Sequence, residues 1–227
     1  MSLVVLIRHA HSQANALGVL SGRRPNIDLS EKGIKQALEL RDRLGTFPIK
    51  EVRVSPLQRC SQTIAPWLDV HKKVRVLEDV DITEVDYGKW SGKKLSVLSK
   101  ESLWKIVQSN PSRAYFPQGE GLMAMQARAL HSQHAALSAK GQGAVVLVSH
   151  GDVIKSLVAA NLGMHLDDFQ RIIIDPASIT IFDFSSSQPR LLLLNETRSS
   201  VHELLTPSRK TRYLVGGGSG VDVKKKK

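Results

Sequence analysis

Two histidines and two arginines stand just past the chain's most apolar short runs. Residues 3–7 (Leu-Val-Val-Leu-Ile) lead into Arg8-His9, and residues 144–148 (Ala-Val-Val-Leu-Val) lead into Ser149-His150-Gly151. A third run, 52–55, leads into Pro56-Leu57-Gln58-Arg59. Guanidinium forks and imidazoles match the many acceptor oxygens of a phosphoryl group. A neutral imidazole can also take that group covalently. One strand-end histidine is an ordinary structural residue, but four such groups at corresponding places argue for a shared anion pocket.

That pocket exists only if the three runs are neighbours in one sheet, because ligands of parallel α/β sheets bind beyond the carboxyl ends of the strands. Strand-like runs do alternate with segments of helical period, which predicts an α/β three-layer sandwich with a mostly parallel central sheet and helices on both faces. Ile34, Ala37, Leu38 and Leu44 recur at helical spacing after Ser30, a candidate N-cap. Pro56 stands where the next helix would begin, and 74–77 is a weaker strand candidate. Helices are expected over 93–108, 122–139 and 152–162, and a closing pair of strands over 179–184 and 191–194.

The chain has 227 residues, 41% of them hydrophobic and 23% charged, the balance of an ordinary globular protein. It reads as a single domain over 1–205 followed by a flexible basic tail over 206–227. With one cysteine, Cys60, no intrachain disulfide can form, and the cytoplasm is the expected location. No signal segment or membrane-length apolar run is present, so no membrane partner is expected. Of the net charge of +11, six units fall within 207–227. The rest is a mild excess that suits an enzyme of anionic small molecules. The tail carries only Tyr213 for base stacking, which makes nucleic acid an unfavoured partner.

Arg8-His9 with Ser12 and Asn15 resembles the signature of the histidine phosphatase superfamily, the phosphoglycerate-mutase-like proteins. The resemblance continues at Asp28-Leu29-Ser30-Glu31-Lys32-Gly33, at Ser55-Pro56-Leu57-Gln58-Arg59-Cys60 with Gln62-Thr63, and at Glu84-Val85-Asp86-Tyr87-Gly88-Lys89-Trp90. It ends with Pro117-Gln118-Gly119-Glu120 and Val148-Ser149-His150-Gly151, in the family's order and spacing.

The resemblance implies a phosphoglycerate-mutase-like fold and a metal-independent phosphohydrolase with no cofactor, acting on a small phosphorylated metabolite. His9 would be the nucleophile, and Arg8, Arg59 and His150 the clamp on the phosphoryl oxygens. Glu84 would be the general acid and base, with Asp86 competing for that role. Asn15, Ser21, Gly22 and Gly151 sit where the family touches phosphate or substrate. Residues 93–118 would form a specificity lid, with Trp104, Tyr115 and Phe116 as its apolar content. Ala10 and His11 depart from the family's usual glycine and glutamate. His11 would either add a third imidazole to the pocket or point into the neighbouring loop.

Three other readings stand beside this one. The short segment after Glu84 favours a phosphatase over a phosphoglycerate-mutase-type phosphomutase, which remains the alternative. His9 and His11 at a strand end also fit a metal-dependent hydrolase, with His150 and Asp152 enlisted as further ligands. A cysteine phosphatase would need an arginine six positions after Cys60, where the chain has Pro66.

Overall fold

Strand residues that are buried on alternate faces need cover on both sides of the sheet, and the helical segments between them supply it. The computed structural model describes residues 2–204. The basic tail read over 206–227 lies outside the described residues. In chain order the elements are β1 (Leu3–Arg8), α1 (Gln13–Ala16), α2 (Glu31–Leu44), β2 (Ile49–Val54), α3 (Gln58–Leu68), β3 (Arg75–Glu78), α4 (Leu95–Leu98) and α5 (Ser102–Ser109). There follow α6 (Leu122–Leu137), β4 (Ala144–Ser149), α7 (Gly151–Asn161), β5 (Ile179–Asp183), β6 (Arg190–Glu196) and α8 (Val201–Leu204).

The sheet has six strands in the order β3-β2-β4-β1-β5-β6. β3, β2, β4 and β1 run parallel, while β5 and β6 close one edge antiparallel. Register places Arg8 opposite Ser149 and Val54 opposite Val148, so three of the strands end at one level. The ladder continues one step further, through His9 N–H to Ser149 O at 2.8 Å and Ser55 N–H to Val148 O at 3.0 Å. His9, Ser55 and His150 are therefore delivered side by side.

The period of two decides which layer each strand residue joins. Val4, Leu6, Val145 and Leu147 pack in one core with Met125 and Ala129 of α6 and Val153 and Leu157 of α7. Leu3, Val5, Ile7, Val146 and Val148 pack in the other with Leu40 and Leu44 of α2 and Ile64 and Trp67 of α3. Complete burial of such a side chain stabilises the fold by roughly 1.5–3 kcal/mol. The central strands thereby hold their carboxyl ends rigid.

Ser30 caps α2 as its position predicts, its side chain accepting from Gly33 N–H. The single helix expected over 93–108 is instead two, α4 and α5. The break lets Glu101 enter α5 as its N-cap and accept from Trp90 Nε1 at 2.7 Å, a buried indole donor that a continuous helix would leave unpaired. Among the described residues no helix is long and apolar enough to cross a membrane.

Candidate active site

His9 is almost wholly buried at the end of β1. Its Nδ1 lies 2.8 Å from Ala10 O, and a carbonyl only accepts, so Nδ1 carries the proton and Nε2 the lone pair. Burial, then Arg59, then Arg8 push this imidazole well below the usual histidine range and keep it neutral. Ala10 does not adopt a positive φ. Its N–H donates to Thr63 Oγ1 at 2.8 Å, which ties the neighbour of His9 to α3.

His150 stands beside His9 with ring centroids 5.2 Å apart. Arg59 donates to its Nδ1 at 3.3 Å, so Nε2 carries the proton and donates to Ser55 Oγ at 2.8 Å. Burial first, and then Arg59, hold it neutral as well. Arg8 donates to Ile174 O at 2.6 Å and Arg59 to Gly22 O at 2.9 Å. The Nε of each is buried with no hydrogen-bond partner among the described residues, a condition Arg43 Nε shares away from the site. A buried unpaired donor costs about 1–3 kcal/mol, and two of them on guanidiniums that act on His9 and His150 fit an oxyanion.

Glu84 is buried beside His150, its Oε2 3.9 Å from His150 Nδ1. Burial foremost and Asp152 next raise its carboxyl to about 7, against the pull of Arg59, the Val85 N–H and Arg8. Asp86 is engaged elsewhere, its Oδ1 accepting from Gly88 N–H in the following turn. The loop is fastened from behind. Arg128 donates to Asp81 O, Thr83 O and Glu84 O, Arg23 donates to Glu84 O, and both arginines pair with Glu120.

The other residues singled out by sequence lie around this group. Asn15 Oδ1 accepts from Ser12 and closes the cap of α1. Ser21 O accepts from Arg24 N–H, and Gly22 takes φ +53 to present its carbonyl to Arg59. Gly151 opens α7 under Arg8, where a Cβ would stand 3.4 Å from the guanidinium carbon. His11 Nδ1 is hydrogen bonded with Ser30 Oγ at 2.8 Å, in the neighbouring loop. Among the described residues no group of three His, Cys, Asp or Glu is placed to hold a metal ion. Cys60 is buried in α3, and burial raises its thiol to about 12.

Of the three aromatics expected to cover the site from residues 93–118, Phe116 is a core residue, its ring edge-on to Tyr87 at 4.9 Å and to Trp90 at 5.3 Å. Trp104 stacks on Trp90, and Tyr115 is exposed. Sequence reasoning passed over Arg23 and Arg128. Arg128 left one signal, a lone cation one residue before the buried Ala129 and three after the buried Met125 of α6.

The model of the histidine phosphatase superfamily (branch 1) matches residues 4–197. The chain belongs to that superfamily. As a member it is an enzyme of the histidine phosphatase class. It is similar to phosphoserine phosphatase 1 of Hydrogenobacter thermophilus, 30% identical over 87% of this chain and 93% of that protein. It is similar also to the 2,3-bisphosphoglycerate-dependent phosphoglycerate mutase of Thermoplasma acidophilum, at 28% identity over 81% of this chain and 88% of the relative. Among solved structures, the α-ribazole phosphatase of Shigella flexneri superposes with a TM-score of 0.78 at 25% identity, covering 88% of this chain and 98% of the other.

Proposed function

We propose that this superfamily member hydrolyses a small phosphomonoester through a phosphohistidine at His9 Nε2. The observation that carries this reading is the hydrogen bond from His9 Nδ1–H to Ala10 O, which leaves the Nε2 lone pair on a neutral ring beside Arg8 and Arg59. In the first step Nε2 attacks phosphorus and the bond from phosphorus to the ester oxygen breaks. The protonated Glu84 carboxyl gives its proton to that leaving oxygen. In the second step water attacks phosphorus, the Nε2–P bond breaks, and Glu84 takes the water's proton.

Phosphoryl transfer spreads charge over the equatorial oxygens, so fixed cations supply much of the stabilisation. Arg8 and Arg59 fill that role here, with the neutral His150 beside them and Asn15, Ser21, Gly22 and Gly151 shaping the loop around the phosphate. Residues 93–118 set the leaving-group side. The names of the similar phosphatases support a phosphorylated metabolite as substrate. No metal or cofactor enters the steps.

The test is a screen of phosphate metabolites with the parent and His9→Ala, alongside a rapid alkaline detergent quench of the parent for a phosphoenzyme that is acid-labile and alkali-stable. Loss of turnover and of the trapped phosphoryl group in His9→Ala is the expected result. Turnover surviving that substitution ends the reading. With 3-phosphoglycerate, release of free phosphate is expected; isomer as the main product would make the chain a phosphomutase.

A further inference from the structure

Asp152 is a second acid beside a pocket otherwise built from cations, and both of its oxygens are held. Tyr87 Oη donates to Oδ2 at 2.8 Å, and Lys155 Nζ lies 3.4 Å from Oδ1. Lys155 is fixed in turn by Gln170 Oε1 at 2.9 Å and by the Phe169 ring 5.3 Å away. Tyr87 is buried against Phe116. Burial and the two acids hold its hydroxyl well above the usual tyrosine range, so it remains a donor to Asp152.

Chain geometry brings this carboxylate to Glu84. Tyr87 follows Glu84 by three residues, and Asp152 follows His150 by two. His150 Nδ1 is itself 3.9 Å from Glu84 Oε2. The charged and titratable groups that act on the Glu84 carboxyl are Arg59 from α3, Arg8 from β1, His150 at the end of β4 and Asp152 from α7, and Tyr87, on the same loop as Glu84, is tied to Asp152. Arg23 and Arg128 are spent on its backbone carbonyl. Burial favours the protonated Glu84 and the two arginines oppose it, and Asp152 is the one charge in this group that acts on the same side as burial.

We propose that Asp152 is a positioning residue for the reaction: its carboxylate, clamped by Tyr87 and Lys155, is the fixed negative charge against which Glu84 keeps its proton for the leaving oxygen. The proposal rests on the reading of Glu84 as general acid. It predicts a division of labour in which α7 supplies the phosphate side through His150 and Gly151 and the acid side through Asp152. A purely structural Asp152, favourable to the start of α7 through the helix dipole, would leave the Glu84 proton unmoved.

The experiment is the pH profile of kcat/KM on β-glycerophosphate, whose alkoxide needs a proton to leave, and on p-nitrophenyl phosphate, whose phenolate does not. In the parent, the alkaline limb on β-glycerophosphate reports Glu84. In Asp152→Asn that limb moves down by about one pH unit, so activity at pH 8 falls about tenfold on β-glycerophosphate and at most about twofold on p-nitrophenyl phosphate. Lys155→Met, which strips the counter-charge from Asp152, moves the limb the other way.

An unmoved limb, or equal losses on the two substrates, overturns the proposal. If Asp152→Asn does not fold, the direction given by Lys155→Met decides. Glu84→Gln separates the two levels. If it keeps the parent profile on β-glycerophosphate, the Glu84 reading fails; if it abolishes the limb that Asp152→Asn and Lys155→Met leave in place, only the Asp152 proposal fails.

Discussion

Ala10 is held at both ends of its peptide unit, its N–H by Thr63 Oγ1 at 2.8 Å and its carbonyl by His9 Nδ1 at 2.8 Å. The second bond sets the tautomer of His9, and the first keeps the carbonyl in place. Thr63 itself donates to Arg59 O at 2.6 Å, so one hydroxyl links the residue after His9 to Arg59. Thr63→Val keeps the shape and removes the hydroxyl, leaving the buried Ala10 N–H unpaired. A stability loss of about 1–3 kcal/mol is expected, with kcat/KM lowered about tenfold, while Thr63→Ser restores both. Denaturant titration and steady-state kinetics check this.

Arg59 presents donors to Gly22 O and to His150 Nδ1 while its Nε remains buried with no partner among the described residues. A lysine keeps the charge but cannot reproduce the planar fork. Arg59→Lys is expected to lower kcat/KM by about 10²–10³, the usual cost of one fixed donor to a developing oxyanion. Equal activity in the variant would remove Arg59 from the clamp.

Glu84 is raised from 4.5 to about 7 in the folded chain. Its protonated form is favoured on folding, so the ionised carboxyl lowers stability fully above about pH 7 and not at all below about pH 4.5. Glu84→Gln is therefore expected to be inactive on alkyl phosphates yet more stable than the parent at pH 8, by on the order of 2–3 kcal/mol. The difference shrinks toward pH 5. Chemical denaturation at the two pH values measures it.

Gly33 lies in α2, where alanine normally improves a helix by about 1 kcal/mol. Here a Cβ would sit 1.9 Å from His11 O, which also accepts from Ser30 N–H and Ser30 Oγ. Gly33→Ala is expected to destabilise by about 1–3 kcal/mol and to lower kcat/KM, because relief of the clash moves the loop that begins at His9. A variant as stable as the parent would contradict the packing described.

Cys60 is fully buried in α3, with its thiol raised to about 12. The thiol is the inert form at pH 8. Iodoacetamide is expected to leave the native protein unmodified and active, with labelling by mass only after denaturation. Loss of activity in step with labelling of the native chain would reopen a role for Cys60.

The amino-acid sequence by itself determined what local chemistry and periodicity can determine. Short apolar runs specified which segments become β1, β2 and β4, and the residues at and just past their ends carried Arg8, His9, Ser55 and His150 with them. The helix start at Ser30 was legible for the same reason, since capping is decided within one turn.

Tertiary structure decided the rest, because each remaining choice depended on partners distant in the chain. Glu84 and Asp86 are equal acids in sequence. Asp86 turns to Gly88 N–H, whereas Glu84 meets His150, 66 positions away in the numbering, and gains its raised proton affinity from burial and Asp152. His11 joins Ser30, and the segment expected as one helix breaks so that Glu101 can satisfy Trp90. Strand ends are written in the sequence because their cause is local; the meeting of Glu84 with His150, and the service of Arg23 and Arg128 behind it, come from contacts that only the folded chain brings into range.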